Sequence, residues 1–306
     1  MPEIQHHGST AILTRIRPGV LLKSPFEPNL AGPNVDKFKE RVRLAFAVEE
    51  PILRRLGDHP RIVQYLGQRD QGFLLSEASH GNLQAYISAH NSSITPCLRK
   101  KWCRQAAEAV SYIHSRGVVH SDMRPENFLV HESSPGCLDL LLCDFGGARC
   151  DELGLDGKHL PDGPFYDPTQ AECSSMLDIF SLGSIFYTIM TGLWPYRSCC
   201  GPFRTAQEML DYDAKVNELF SRGQYPGVDD LAWGDVIKGC WTKQYQRADD
   251  ILEASREGNA NKGDDRLVGL QRLAYREELT CYGYAANGES SRHASSGSRS
   301  RHVNGS

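Results

Sequence analysis

The chain changes character at His80-Gly81-Asn82, and that change limits the folds open to it. Upstream, short apolar runs alternate with turn signals; downstream, long stripes at helical spacing dominate. From Ala11 to Leu22, apolar Ile12, Ile16, Val20 and Leu22 flank the turn signal Arg17-Pro18-Gly19, which predicts a short hairpin. Val35 to Leu56 carries Leu44, Val48, Ile52 and Leu56 at helical spacing, with Gly57 as a stop and Pro51 distorting one turn. Ile62 to Leu66 and Gly72 to Ser76 read as a further strand pair. The first part is therefore small, strand-rich and provided with one helix.

Beyond the boundary, Arg99 to Ser115 carries the stripe Trp102, Ala106, Ala109, Val110 and Ile113. Ser174 to Thr191 is apolar on most sides through Ile179, Leu182, Ile185, Phe186, Ile189 and Met190, which predicts a buried central helix. From Ala286 onward Ser, Gly, Asn, Arg and His leave too little apolar surface to offset the entropy of ordering, so residues 286–306 read as a disordered tail. The expected division is 1–78 for the small part, 79–270 for the larger one and 271–285 for a C-terminal extension.

A chain of 306 residues can bury a substantial core. Its formal net charge of −4, without a long one-signed block in the folded part, argues against a nucleic-acid partner. The ten cysteines are scattered, with Cys199 and Cys200 adjacent and no CxxC pair, so they read as reduced thiols of a cytoplasmic or nuclear protein. Met1 to Thr10 lack the basic start and apolar run of a secretory signal. No stretch approaches the roughly 18 apolar residues of a membrane helix, so no membrane association is expected.

The chemistry concentrates in His120-Ser121-Asp122-Met123-Arg124-Pro125-Glu126-Asn127, followed by Phe128-Leu129-Val130 and then Leu140-Leu141-Leu142-Cys143-Asp144-Phe145-Gly146. This run resembles the catalytic loop and the metal-binding Asp-Phe-Gly triplet of eukaryotic protein kinases, which a β-hairpin separates in that family. The resemblance implies an α+β bilobal fold, with a small β-rich N-lobe holding one helix and a larger, mainly helical C-lobe. Phosphoryl transfer needs a carboxylate to orient the acceptor hydroxyl, and an amide and second carboxylate to hold magnesium against the phosphates. By resemblance Asp122 takes the first role, and Asn127 and Asp144 the other two, with ATP and Mg2+ as cofactors. Lys23 resembles the strand lysine that pairs with the α- and β-phosphates, and Glu49 its helix partner.

Gly8, Leu13, Glu77 and Leu129 fall at nucleotide-contacting positions of the family. His59-Pro60-Arg61-Ile62-Val63 is similar to its helix-to-strand junction. Asp178 resembles the acid of the central helix that binds amides of the catalytic loop, and Cys240-Trp241 with Arg247 resembles a late signature whose Arg pairs with an acid at the end of the activation segment. Tyr166-Asp167-Pro168 is the nearest substitute for that end, which predicts an Asp167–Arg247 pair. Cys143, beside Asp144, is expected near the nucleotide, with bound ATP slowing its alkylation.

Several positions depart from the family pattern. Only Gly8 matches the glycine-rich loop, with His6 and Ala11 in place of the outer glycines, which predicts a weaker phosphate clamp. Leu21 replaces a small residue of the adenine pocket. Ser121 replaces the Arg that receives an activation-loop phosphate, so activation by loop phosphorylation is not expected. Arg124 replaces a Lys beside the γ-phosphate, keeping the charge in a planar fork, and Pro125-Glu126 resembles serine/threonine-type members.

The leading expectation is a monomeric serine/threonine protein kinase acting on a protein substrate. The alternative is a pseudokinase serving as a nucleotide-binding or scaffold module. A small-molecule phosphotransferase, which shares an HxD, an Asn and an Asp in similar order, is the third reading.

Overall fold

The computed structural model of the chain describes residues 3–8, 10–28, 32–170, 172–198 and 203–258. The expected extension at 271–285, the tail at 286–306, Cys199 and Cys200 all lie outside the described residues, as does the side chain of His6.

The small lobe is a five-stranded antiparallel sheet in the order β1-β2-β3-β5-β4, built from β1 (Glu3–His7), β2 (Ala11–Arg17), β3 (Val20–Pro25), β4 (Tyr65–Arg69) and β5 (Gly72–Ser76). The β2–β3 hairpin turns where Arg17-Pro18-Gly19 predicted, and Gly19 supplies the left-handed φ of +80° that the turn requires. Strand β1 was not anticipated.

Helix α1 (Pro33–Leu56) crosses the inner face of this sheet and runs on through Pro51 to a cap at Gly57. It lays Val42, Val48, Ile52, Leu53 and Leu56 into the core, the face its apolar spacing dictates. Phe46 meets Phe73 of β5 at a ring separation of 5.6 Å, which fastens helix to sheet.

The strand expected at Ile62 to Leu66 is displaced: β4 begins at Tyr65, and Ile62 forms a parallel bridge with Leu142 instead. The amide of Val63 donates to Leu142 O (2.9 Å) and that of Leu142 to Arg61 O (2.8 Å). The apolar run at Ile62-Val63 is therefore consumed in joining the small lobe to the large one.

The large lobe contains α2 (Leu83–His90), α3 (Pro96–Ser115), α4 (Ser175–Thr191), α5 (Ala206–Ser221), α6 (Gly234–Trp241) and α7 (Ala248–Gly258). A hairpin of β6 (Phe128–Ser134) and β7 (Cys137–Leu142) lies over α3, followed by the short pair β8 (Arg149–Cys150) and β9 (Leu155–Asp156). Helix α4 is the expected buried post. Ser174 caps its N-terminus through the amide of Leu177, Gly192 ends it in the left-handed region, and Ile179, Leu182, Ile185, Phe186 and Ile189 are fully buried. Truncating one such side chain to Ala costs about 2–5 kcal/mol, so this helix anchors the loops packed on it.

Candidate active site

The β6–β7 hairpin decides where the polar groups meet. Asn127 immediately precedes β6 and Asp144 follows β7 by one residue, and the strands pair in register from Phe128↔Leu142, so both residues emerge at one end. The amide of Cys143 closes that end on Asn127 O at 2.9 Å. Before the hairpin, the loop carrying Asp122 hangs on Asp178 of α4, which is wholly buried. Asp178 accepts from the amides of His120 (2.8 Å) and Ser121 (3.0 Å) and lies 2.9 Å from His114 Nε2, which places it as expected. His120 holds the other side, with Nε2 3.0 Å from Cys143 O and its ring against Phe145. Ser121 and Asp144 both adopt a left-handed φ, +67° and +63°, a conformation that non-glycine residues adopt only where their surroundings enforce it.

From the small lobe, Lys23 on β3 reaches two carboxylates. Its Nζ lies 2.8 and 2.6 Å from the oxygens of Glu49 on α1 and 2.8 Å from Asp144 Oδ1. Burial disfavours the ammonium charge, yet Asp144 and Glu49 outweigh it and hold the Lys23 pKa above its ordinary value. Glu49 is 1% exposed; burial pushes its carboxyl up against the opposing pull of Lys23 and of the Phe145 amide. Asp144 has a side chain 49% exposed, and the neighbouring Lys23 charge keeps it ionised. Asp144 also feels the charge of Asp122, and Asn127, which binds Asp122, is joined through the Cys143 amide to the residue before Asp144, so the loop and the lysine cluster are neighbours.

Asp122 is held on both oxygens. Arg124 Nε donates to Oδ1 (2.8 Å), and Asn127 Nδ2 donates to Oδ2 (3.2 Å) and to the main-chain oxygen (2.7 Å). Burial alone would raise the Asp122 carboxyl, but His159, Arg124 and His120 hold it well below the usual carboxylate range. It is thus an ionised acceptor suited to orienting a hydroxyl. With its amide nitrogen committed to Asp122, Asn127 keeps Oδ1 for another partner, and Asp144 Oδ1 alone is bound to Lys23. Free oxygens of an amide and a carboxylate suit a hard divalent cation. No group of three or more His, Cys, Asp or Glu side chains among the described residues is placed to hold a metal without further ligands. The remaining ligands would then have to come from phosphate and water.

The other predicted contacts are more dispersed. Leu13 pairs directly with Lys23 across β2 and β3, so the two side chains share the inner sheet face. Leu129 is half-buried on β6, in the large lobe. Gly8 occupies the β1–β2 turn with its amide on Ala11 O, and a Cβ there would make only an ordinary contact at 3.4 Å, so local packing does not demand glycine. The carboxylate of Glu77 is committed to Arg15 Nε (2.8 and 3.0 Å) and to the Gly19 amide (3.2 Å), and its own amide donates to Gly19 O (3.0 Å), which leaves its main-chain carbonyl for any ligand.

Arg247 does not pair with Asp167. It is exposed and bound to Asp249, whereas buried Asp167 meets Lys243 Nζ at 2.8 Å. Lys243 lies nearer the Trp241 turn and reaches the segment end that Arg247, at the start of α7, does not. The sequence also gave no signal for His159, 3.6 Å from Asp122 Oδ2, or for Asp162, which binds Arg124 at 2.9 Å. Both arrive on an irregular segment whose Gly147 packs under His159, where an added Cβ would approach the His159 Cβ to 2.8 Å.

Together, the two lobes, the lysine with its two carboxylates and the suspended loop define a phosphotransferase-type architecture. Residues 34–243 match the sequence profile of the protein kinase domain, and the chain belongs to that family. The match begins after β3, so Lys23 joins the site by the fold rather than by the profile. Ribosomal protein S6 kinase alpha-2 of Homo sapiens is 29% identical over 214 residues, covering 65% of this chain and 28% of that protein. Serine/threonine-protein kinase RAD53 of Saccharomyces cerevisiae is 29% identical over 169 residues, 48% of this chain and 20% of its own length. The chain thus spans less than a third of these relatives.

Proposed function

We propose that the protein transfers the γ-phosphoryl group of ATP to serine or threonine hydroxyls of a protein substrate. The observation that carries this reading is Lys23 paired at once with Glu49 and Asp144 while Asn127, bound to Asp122, adjoins Asp144 at the end of the β6–β7 hairpin. When bound, Mg-ATP supplies the transferable phosphoryl group and a cation that offsets charge on its oxygens. Asn127 and Asp144 would hold the cation, and Lys23, fixed by Glu49, the phosphates. Leu13, Leu129, Gly8 and the main-chain carbonyl of Glu77 would enclose the nucleotide between lobes that meet near residue 78. Asp122 accepts the hydrogen bond of the acceptor hydroxyl and aims its oxygen, and Arg124 steadies Asp122 from the side. The serine/threonine assignment follows Pro125-Glu126 and the names of the relatives.

The described cysteines are all unbridged, which suits the cytoplasm or nucleus. Among the described residues no helix is long and apolar enough to cross a membrane.

A pseudokinase is the second reading, favoured by the β1–β2 turn with its single glycine. Incubation with radiolabelled ATP and a peptide library, beside a thermal-shift titration with Mg-ATP, separates the two. Label on Ser or Thr together with a shift is the expected result; a shift without label makes the protein a binding module. Neither shift nor label overturns both.

A further inference from the structure

The stretch from Phe145 to Phe165 contains no serine, threonine or tyrosine hydroxyl, and Tyr166, which follows it, donates its hydroxyl to Gln170 O at 3.0 Å. Ser121, at the start of the catalytic loop, brings no charge to receive one; its Oγ lies 2.6 Å from Cys173 Sγ. Yet the segment is tied down. Glu152, in the short turn Asp151–Leu153 that links β8 to β9, forms an ion pair with Arg55 NH2 in the last turn of α1. Arg55 Nε also donates to Arg116 O at 2.7 Å, and Arg116 NH2 donates back to Arg55 O at 3.1 Å. Gly117, with φ +71°, leaves room for this packing: a Cβ there would stand 3.1 Å from Glu152 Oε1.

Arg55 lies less than two turns beyond Glu49 on one rigid helix. The same helix touches the beginning of the segment, where Gly146 approaches Ala45 so closely that a Cβ would meet the Ala45 methyl at 3.0 Å. The segment thus touches the helix twice, just before β8 and again at the β8–β9 turn. Arg149 is paired with Asp151, so Glu152 is the acid of this turn left to reach α1.

We infer that Glu152 is a genetically encoded substitute for an activating phosphate: through Arg55 it fixes the segment to α1 and keeps Glu49 on Lys23 without modification. The inference rests on the kinase reading only for its effect on turnover; the coupling of Glu152 to α1 stands apart from it. Glu152 is 67% exposed and Arg55 25%, so the ion pair acts as a bias on a packed junction, and its loss changes rates severalfold without abolishing the fold.

The test compares the full chain with Glu152→Gln, Arg55→Gln and the charge-exchanged double variant Glu152→Arg/Arg55→Glu. Amide hydrogen exchange of nucleotide-free protein reads α1 around Glu49, and steady-state kinetics with Mg-ATP and a peptide read kcat and KM. Each single variant is expected to speed exchange around Glu49, and to lower kcat, by about two- to fivefold, with the KM for ATP changing less. The double variant restores both, and phosphatase treatment of wild-type protein changes neither. Unchanged exchange in both single variants, failure of the exchanged pair to restore it, or loss of wild-type activity after phosphatase treatment overturns the inference. If wild-type protein neither binds nor turns over ATP, the kinase reading fails, and the exchange comparison alone decides the coupling.

Discussion

Removing Lys23 and removing the charge of Asp144 are expected to silence the same site at different structural cost. Lys23→Met strands Glu49, which is 1% exposed and has its carboxylate bound to that ammonium. Breaking one side of a buried pair costs about 3–5 kcal/mol, so this variant should unfold at clearly lower denaturant. Asp144→Asn alters a half-exposed partner and is expected to cost less than about 1 kcal/mol while abolishing the magnesium-dependent part of ATP binding. Chemical denaturation beside nucleotide titration checks both; equal stability losses would mean that Lys23 is not the keystone of a buried pair. Cys143, half-buried and next to Asp144, belongs to the same scale. Burial first and then the Asp144 charge push its thiol pKa up, and its Sγ lies 3.3 Å from Asn127 O, so its alkylation is expected to be slow even before nucleotide binds. Residues whose roles depend on neighbours in sequence were legible: Asp122, Asn127 and Asp144 lie within one loop and the ends of one hairpin. His159, Asp162, Lys243 and Glu152 were not, because each meets its partner through a segment without periodicity that only tertiary packing places.

Strand β5 begins with a glycine for a steric reason. A Cβ at Gly72 would overlap the carbonyl oxygen of Lys23 on the neighbouring strand, so Gly72→Ala must push β3 and β5 apart where the site lysine is held. Overpacking of this kind costs about 1–3 kcal/mol, and here it should also weaken ATP binding. Gly136→Ala is the contrast: its φ of +75° carries strain of about 1–2 kcal/mol, but nothing lies within 4 Å and the site should be untouched. If both variants bind ATP equally well, the sheet does not position Lys23 in this way. Strand β7 gives a pH prediction. Burial would raise the Asp139 carboxyl, but Lys101, Ser133 and Gln105 outweigh it and hold its pKa at about 2 against an ordinary 3.8. A depressed folded-state value means stability that is present above pH 3.8 and lost as pH falls through 2, amounting to about 2 kcal/mol. Asp139→Asn should flatten that acid limb in denaturation measured across this range. The helices were readable because a 3.6-residue stripe survives any tertiary arrangement. Strand β4 was misplaced because an apolar pair suits a sheet and a lobe junction alike, and β1, with His6 and His7 at its end, has no apolar alternation to reveal it.

The molecule joins two lobes through main-chain bonds and side-chain contacts, and the candidate site uses groups from both. Val63 and Arg61 bind Leu142 across the junction, and Lys23 reaches Asp144, two residues further on. The two-part division was evident from the change of residue pattern near Gly81. The junction itself was not, since main-chain pairing between distant segments leaves no compositional trace. A ligand held by Lys23 above and by Asn127 and Asp144 below should stabilise both lobes together, so Mg-ATP is expected to raise one cooperative transition rather than split it. At a hundred times its dissociation constant a ligand adds about 2.7 kcal/mol, and a domain of this size gains about 2–4 °C per kcal/mol. The expected shift is therefore about 5–10 °C. Asp144→Asn should lose the increment that depends on magnesium and keep whatever ATP gives in the presence of a chelator, because Lys23 and Glu49 remain paired. A wild-type shift that ignores magnesium, or two separate transitions with only one responding, would mean that the nucleotide contacts a single lobe and that Asp144 is not its metal ligand.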